Sequence, residues 1–149
     1  DTAPGMSQED GVEANLTGIW FVQKTWNHQT GDTTEWESVA RAVSGNGSKS
    51  LQHLALELRE RDNTRMPLWR SDSGKMEPVF TSVNALPGST PDDLKINVCY
   101  QVRYKTRPDV LVFSENACDT LGMIKEDGKW KVNSFDPDSL HMLNALAPN

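Results

Sequence analysis

Leu94-Lys95-Ile96-Asn97-Val98-Cys99-Tyr100-Gln101-Val102-Arg103-Tyr104 sets an apolar or aromatic side chain at every second position. A period of two belongs to a strand with one buried face, because successive side chains leave a strand on opposite sides. The set expected to point inward is therefore Ile96, Val98, Tyr100, Val102 and Tyr104. Downstream, Leu121 to Glu126 and Lys129 to Phe135 flank Asp127-Gly128, a pair that tolerates positive φ and joins antiparallel strands. Trp130 and Val132 are the inward residues of the last strand. Val110 to Phe113 reads as another strand after the Arg107-Pro108-Asp109 turn, and Val79, Phe80 and Val83 as part of one that ends at Leu86-Pro87-Gly88. None of these inward positions carries a carboxylate.

Ahead of Gly74 the period changes to that of a helix. Val12, Leu16, Ile19, Trp20 and Trp26 recur at helical spacing, the expected apolar stripe of a first helix from Gln8, with Ser7 as N-cap and Glu9 and Asp10 at its positive end. Gly31 ends it. Trp36, Val39, Ala40 and Val43 share one face of a second helix, entered through a capping box of Asp32 and Glu35 and closed by Gly45-Asn46-Gly47. Leu51, Leu54, Ala55 and Leu58 repeat the spacing in a third, from about Ser48 to Arg61, which cannot continue past Pro67. Ser139 is the expected cap of a short closing helix with Leu140, Leu143 and Leu146. Residues 1–7 are expected to form a flexible leader and 8–149 one domain, since no repeat or linker divides them.

Helices first and strands afterwards define the α+β class, with the helices covering one face of a curved antiparallel sheet. The chain has 149 residues, 36% of them hydrophobic, with five Trp, four Phe and two Tyr, which is enough for one core and too much for a disordered or fibrous chain. No run approaches the ~18 apolar residues that span a bilayer. Fifteen Lys and Arg against 21 Asp and Glu leave a charge of −6, which argues against a nucleic-acid partner, since that recognition starts from a cationic surface. Arg59, Arg61, Arg65 and Arg70 lie close together but interleave with Glu57, Glu60 and Asp62, and read as a solvated helix end. Cys99 and Cys118 are either two free thiols or one bridge closing about 20 residues, worth ~3 kcal/mol. His28, His53 and His141 are too scattered to supply a metal-ligand spacing, so no metal or cofactor is expected.

The opening long helix, the second helix after Gly31-Asp32-Thr33, and a meander closing on Ile124-Lys125-Glu126-Asp127-Gly128-Lys129-Trp130-Lys131-Val132 resemble the nuclear-transport-factor-2-like (NTF2-like, SnoaL-like) superfamily. The resemblance covers about Val12 to Phe135. In look the chain is most similar to the NTF2-like domains of secreted or lipid-anchored Gram-positive proteins. The resemblance implies a cone-shaped fold, three N-terminal helices packed on a curved antiparallel sheet, with an open mouth where a ligand enters. It also implies an extracytoplasmic location, secreted or anchored to the outer face of the cell membrane, where Cys99 and Cys118 pair as a disulfide. Membrane contact would then come only through a segment upstream of Asp1, and a homodimer fits the same picture.

The superfamily includes isomerases, cyclases and hydratases, which need a carboxylate, His or Tyr inside the cone. The inward set here offers only Tyr100 and Tyr104, which titrate near ~10 and serve as hydrogen-bond donors more readily than as bases. No Ser-His-Asp or Cys-His order, phosphate loop or HExxH pattern can be drawn. No catalytic residue is therefore assigned. His28 suits the negative end of the first helix, His53 stands one position off the apolar stripe facing solvent, and His141 is peripheral. The candidate ligand-binding residues are Tyr100, Tyr104 and Trp130, together with Trp69, which stands between Pro67 and the Arg70-to-Gly74 loop where no periodicity demands it. Plain packing accounts for each of them as well.

These features favour a non-catalytic extracytoplasmic domain that binds a protein partner or a small apolar ligand. The alternatives are a small isomerase- or dehydratase-type enzyme using the cone pocket, and an assembly component of a secretion or conjugation apparatus. A buried carboxylate or His within hydrogen-bond reach of Tyr100 or Tyr104 would favour the enzyme.

Overall fold

Helices occupy the first part of the chain and strands the second in a computed structural model. It describes residues 3–29, 36–64, 77–107 and 110–141, without the side chains of 27–29, 36, 58–64, 104–107 and 111–112. The expectations for Gly31, Asp32, Glu35, Arg65, Pro67, Trp69, Arg70, Leu143 and Leu146 lie outside the described residues, as do the side chains of His28, Trp36, Leu58, Arg59, Arg61 and Tyr104.

Helix α1 runs Gln8–Gln29 with Glu9 and Asp10 in its first turn, and the Asp10 N–H donates to Ser7 Oγ at 3.1 Å, the cap expected there. Its buried face differs from the expected stripe. Ala14, Phe21, Val22, Thr25 and Trp26 are buried, whereas Val12 is 50% and Leu16 59% exposed. Gly18 explains the rotation, because a Cβ there would lie 2.6 Å from Ile96 Cδ1 and 3.2 Å from Val98 Cγ2. The helix is seated on the sheet along its small residues, and Val12, Leu16 and Trp20 project from the opposite side. Of the described residues ahead of α1, Ala3 is buried and Met6 lies against the core.

Helix α2 spans Trp36–Arg41, and a 3-10 turn at Gly45–Gly47, capped by Ser44, leads into α3, Ser48–Thr64. Val39, Leu51 and Leu54 are buried as their spacing requires. Val43 leaves α2 to bridge Val132 in parallel. There the Ser44 N–H donates to the Val132 carbonyl at 2.9 Å and the Val132 N–H to that of Ala42 at 2.8 Å, covering part of an otherwise open sheet edge.

Strands β1 (Glu77–Ala85), β2 (Leu94–Arg107), β4 (Ala117–Glu126) and β5 (Lys129–Ser134) lie in that spatial order, and β3 (Val110–Phe113) pairs with the far end of β2. All four pairings are antiparallel. Ile96, Val98, Tyr100 and Val102 face the helices and are at most 1% exposed, so the inward register is as read. Asp127 at φ 54° and Gly128 at φ 78° turn β4 into β5, as the sequence requires of a two-residue hairpin. β4 starts at Ala117, four residues ahead of the expected Leu121. The outer face is polar: the Thr120 Oγ1 hydroxyl donates to Asn97 Oδ1 at 2.6 Å, and Arg103 pairs with Glu77. Cys99 and Cys118 are direct partners on this face and form a disulfide.

After β5 the chain returns over the helices. Asp136 caps a 3-10 turn at Pro137–Ser139 and Leu140 is extended and buried, so Leu140 stands ahead of the closing helix expected to carry it, and the rest of that helix lies outside the described residues. Among the described residues no helix is long and apolar enough to cross a membrane.

Candidate functional site

Three places among the described residues concentrate chemistry, one inside the fold and two on its surface. Inside, the Tyr100 hydroxyl donates to Asp119 Oδ2 at 2.6 Å and accepts from Trp26 Nε1 at 3.3 Å. The second carboxylate oxygen of Asp119 accepts the His141 N–H at 2.9 Å. Trp26, Tyr100 and Asp119 are at most 2% exposed. The His141 ring lies 5.9 Å from that of Tyr100 and 6.5 Å from that of Trp26, and Phe80 closes the other side of Tyr100 at 5.9 Å.

Burial pushes the Asp119 carboxyl above its usual range, and the hydrogen bonds from Tyr100 and the His141 backbone pull the other way. Burial likewise raises the Tyr100 phenol, reinforced by the neighbouring Asp119 charge. The expected acid-free interior is thus corrected. Asp119 stands two residues ahead of Leu121, the start expected for this strand, and shares the inward face of Leu121 and Met123 by steps of two. His141 is corrected as well, since it is half-buried and bonded to Asp119, not peripheral. Tyr104 pairs with Val112 in the β2–β3 ladder, and Trp69 is outside the described residues.

On the surface, an open cleft of about 530 Å³ runs between α1, α2 and β5. Leu16 and Trp20 from α1 and Trp130 from β5 form its apolar walls, with Arg41, Lys129, Lys131 and Glu13 also lining it. Trp130 is 5% exposed, and its Nε1 donates to Asp10 Oδ1 at 3.1 Å. Lys125 Nζ reaches the same oxygen at 3.0 Å. The Trp130 and Lys125 bonds hold the Asp10 carboxyl below its usual range. Asp10 therefore braces the indole that walls the cleft. Of the candidate ligand-binding residues whose side chains are described, Trp130 lines this cleft and Tyr100 is sealed inside. Leu16 and Trp20, which wall this cleft, belong to a stripe that helical periodicity alone assigns to the core.

A third grouping lies on α3, where His53 Nε2 and Asp138 Oδ1 are 3.0 Å apart, and Glu57 brings a third donor atom within 4.8 Å of both. The Asp138 hydrogen bond raises the His53 pKa. This ion pair fastens the chain's C-terminal turn to α3, across 85 residues of sequence that no spacing rule spans. Compared with known protein families and with curated proteins, the sequence matches no family model and no individual protein.

Proposed function

We propose that the chain is a non-catalytic binding domain of the NTF2-like class, working outside the cytoplasm and holding a small apolar ligand in the cleft between α1, α2 and β5. The order of elements, three helices followed by an antiparallel sheet, supports the class. The Cys99–Cys118 disulfide supports the location. The observation that carries the binding reading is that the interior is filled by Phe21, Trp26, Tyr100 and Leu54 at no more than 1% exposure, while the cleft outside exposes Leu16 beside two indoles. Exposed apolar surface beside a concave site marks binding more often than folding. The test is a titration with N-phenylnaphthylamine, a neutral apolar dye whose emission rises on burial. Saturable binding that Leu16→Glu removes, with the circular dichroism unchanged, is the expected result; binding unaffected by that change rejects the cleft.

Tyr100–Asp119 favours a second reading, an isomerase-type enzyme in which the carboxylate moves a proton. The pair has the required chemistry. His141 closes over it, however, and both carboxylate oxygens are engaged, so this reading requires the segment at His141 to lift. Its test is deuterium uptake from heavy water into a panel of cyclic ketones, catalysed by the native chain and lost in Asp119→Asn.

A further inference from the structure

Resting on the cleft reading, we propose that the ligand is a single-chain amphiphile with an anionic head, a free fatty carboxylate. Its chain lies along Leu16, Trp20 and Trp130, and its head sits among Arg41, Lys129 and Lys131. The charges decide the head. The protein carries −6 overall, yet among the described residues three cations line this cleft against one carboxylate, Glu13. A local field of sign opposite to the whole molecule selects an anion and repels a cation of the same shape.

The cations are held differently. Lys131 Nζ pairs with Glu126 Oε1 at 3.3 Å, whereas Arg41 Nη2 donates to the neutral Ser38 Oγ at 3.0 Å and has no carboxylate partner among the described residues. A guanidinium so placed matches the two oxygens of a carboxylate. The apolar part follows from the walls. Trp20 and the exposed Leu16, with the small part of Trp130 left uncovered, offer apolar surface to a chain, and about 530 Å³ lies within the range of small-molecule sites.

Calorimetric titration with three probes of equal chain length, decanoate, decanol and decyltrimethylammonium, tests this. Decanoate should bind about tenfold tighter than decanol, the sum of a few exposed charge contacts, and the advantage should shrink as salt is added. Decyltrimethylammonium should bind weakest. The double variant Arg41→Gln with Lys129→Gln should lose the decanoate preference and keep decanol binding. Equal binding of all three overturns the anionic head and leaves the apolar cleft standing; binding of none overturns both. Association with phosphatidylglycerol vesicles in the absence of decanoate binding also overturns the proposal, because the surface would then recognise a membrane and not a free chain.

Discussion

Tyr100 and Asp119 meet on a diagonal: the backbone partner of Asp119 across β2 and β4 is Val98, yet its Oδ2 receives the Tyr100 hydroxyl at 2.6 Å. A long side chain spans this two-residue offset on one face of a sheet. The bond satisfies a carboxylate that has no access to water. Tyr100→Phe deletes the donor and leaves Asp119 Oδ2 without it, at a cost of about 2 kcal/mol. Urea unfolding should show a lower midpoint with an unchanged slope; an unchanged midpoint would mean the bond carries no net stability.

The raised Asp119 pKa gives stability a pH dependence of definite sign. The folded chain keeps a proton that the unfolded chain releases near ~3.9, so it binds more protons between that value and its own higher one. Stability therefore falls as pH rises through this window and is level above it. Asp119→Asn should abolish that part of the slope. Urea midpoints of the two proteins at a series of pH values provide the comparison.

His53 shifts in the same direction for a different reason, as a base whose folded pKa is raised by its hydrogen bond with Asp138. Its contribution is fully present below the unfolded value of ~6.5 and is lost as pH rises through the folded one. Asp138→Asn should return the His53 titration, followed by NMR of its ring protons, toward the ordinary value. A curve that does not move would mean that the ion pair is not maintained in solution.

Gly18 of α1 packs directly against Ile96 and Val98 of β2. Gly18→Ala places a methyl group 2.6 Å from Ile96 Cδ1, and the overpacking should destabilise by about 1–3 kcal/mol despite the better helix propensity of alanine. Thermal denaturation checks it, and a raised midpoint would show that the helix can shift away at no penalty.

The Cys99–Cys118 bridge closes a span of 19 residues on the outer face, where Cys118 is exposed. Reduction should remove about 3 kcal/mol by the chain-entropy argument without disturbing the core. Thiol titration of the denatured, unreduced protein should find no free thiol, and the reduced protein should unfold at lower urea.

What the sequence determined by itself is local. The alternation from Leu94 to Val102 set the inward face of β2, Asp127-Gly128 set the β4–β5 turn, and Ser7 set the start of α1, because period, φ preference and capping act over a few residues. The disulfide partners were named from the resemblance, and their facing register agrees. What only the tertiary structure decided are the matters that join distant segments. Which side of α1 is buried depends on Gly18 meeting Ile96 and Val98, and the burial of Asp119 matters only because Trp26, Tyr100 and His141 converge on it. The cleft exists because Leu16, Arg41 and Trp130 come from three elements. Hydrophobic periodicity reports how many apolar residues share a helix face, but the close approach of backbones and the pairing of buried polar groups are set by the partner surface, and no window of sequence contains that partner.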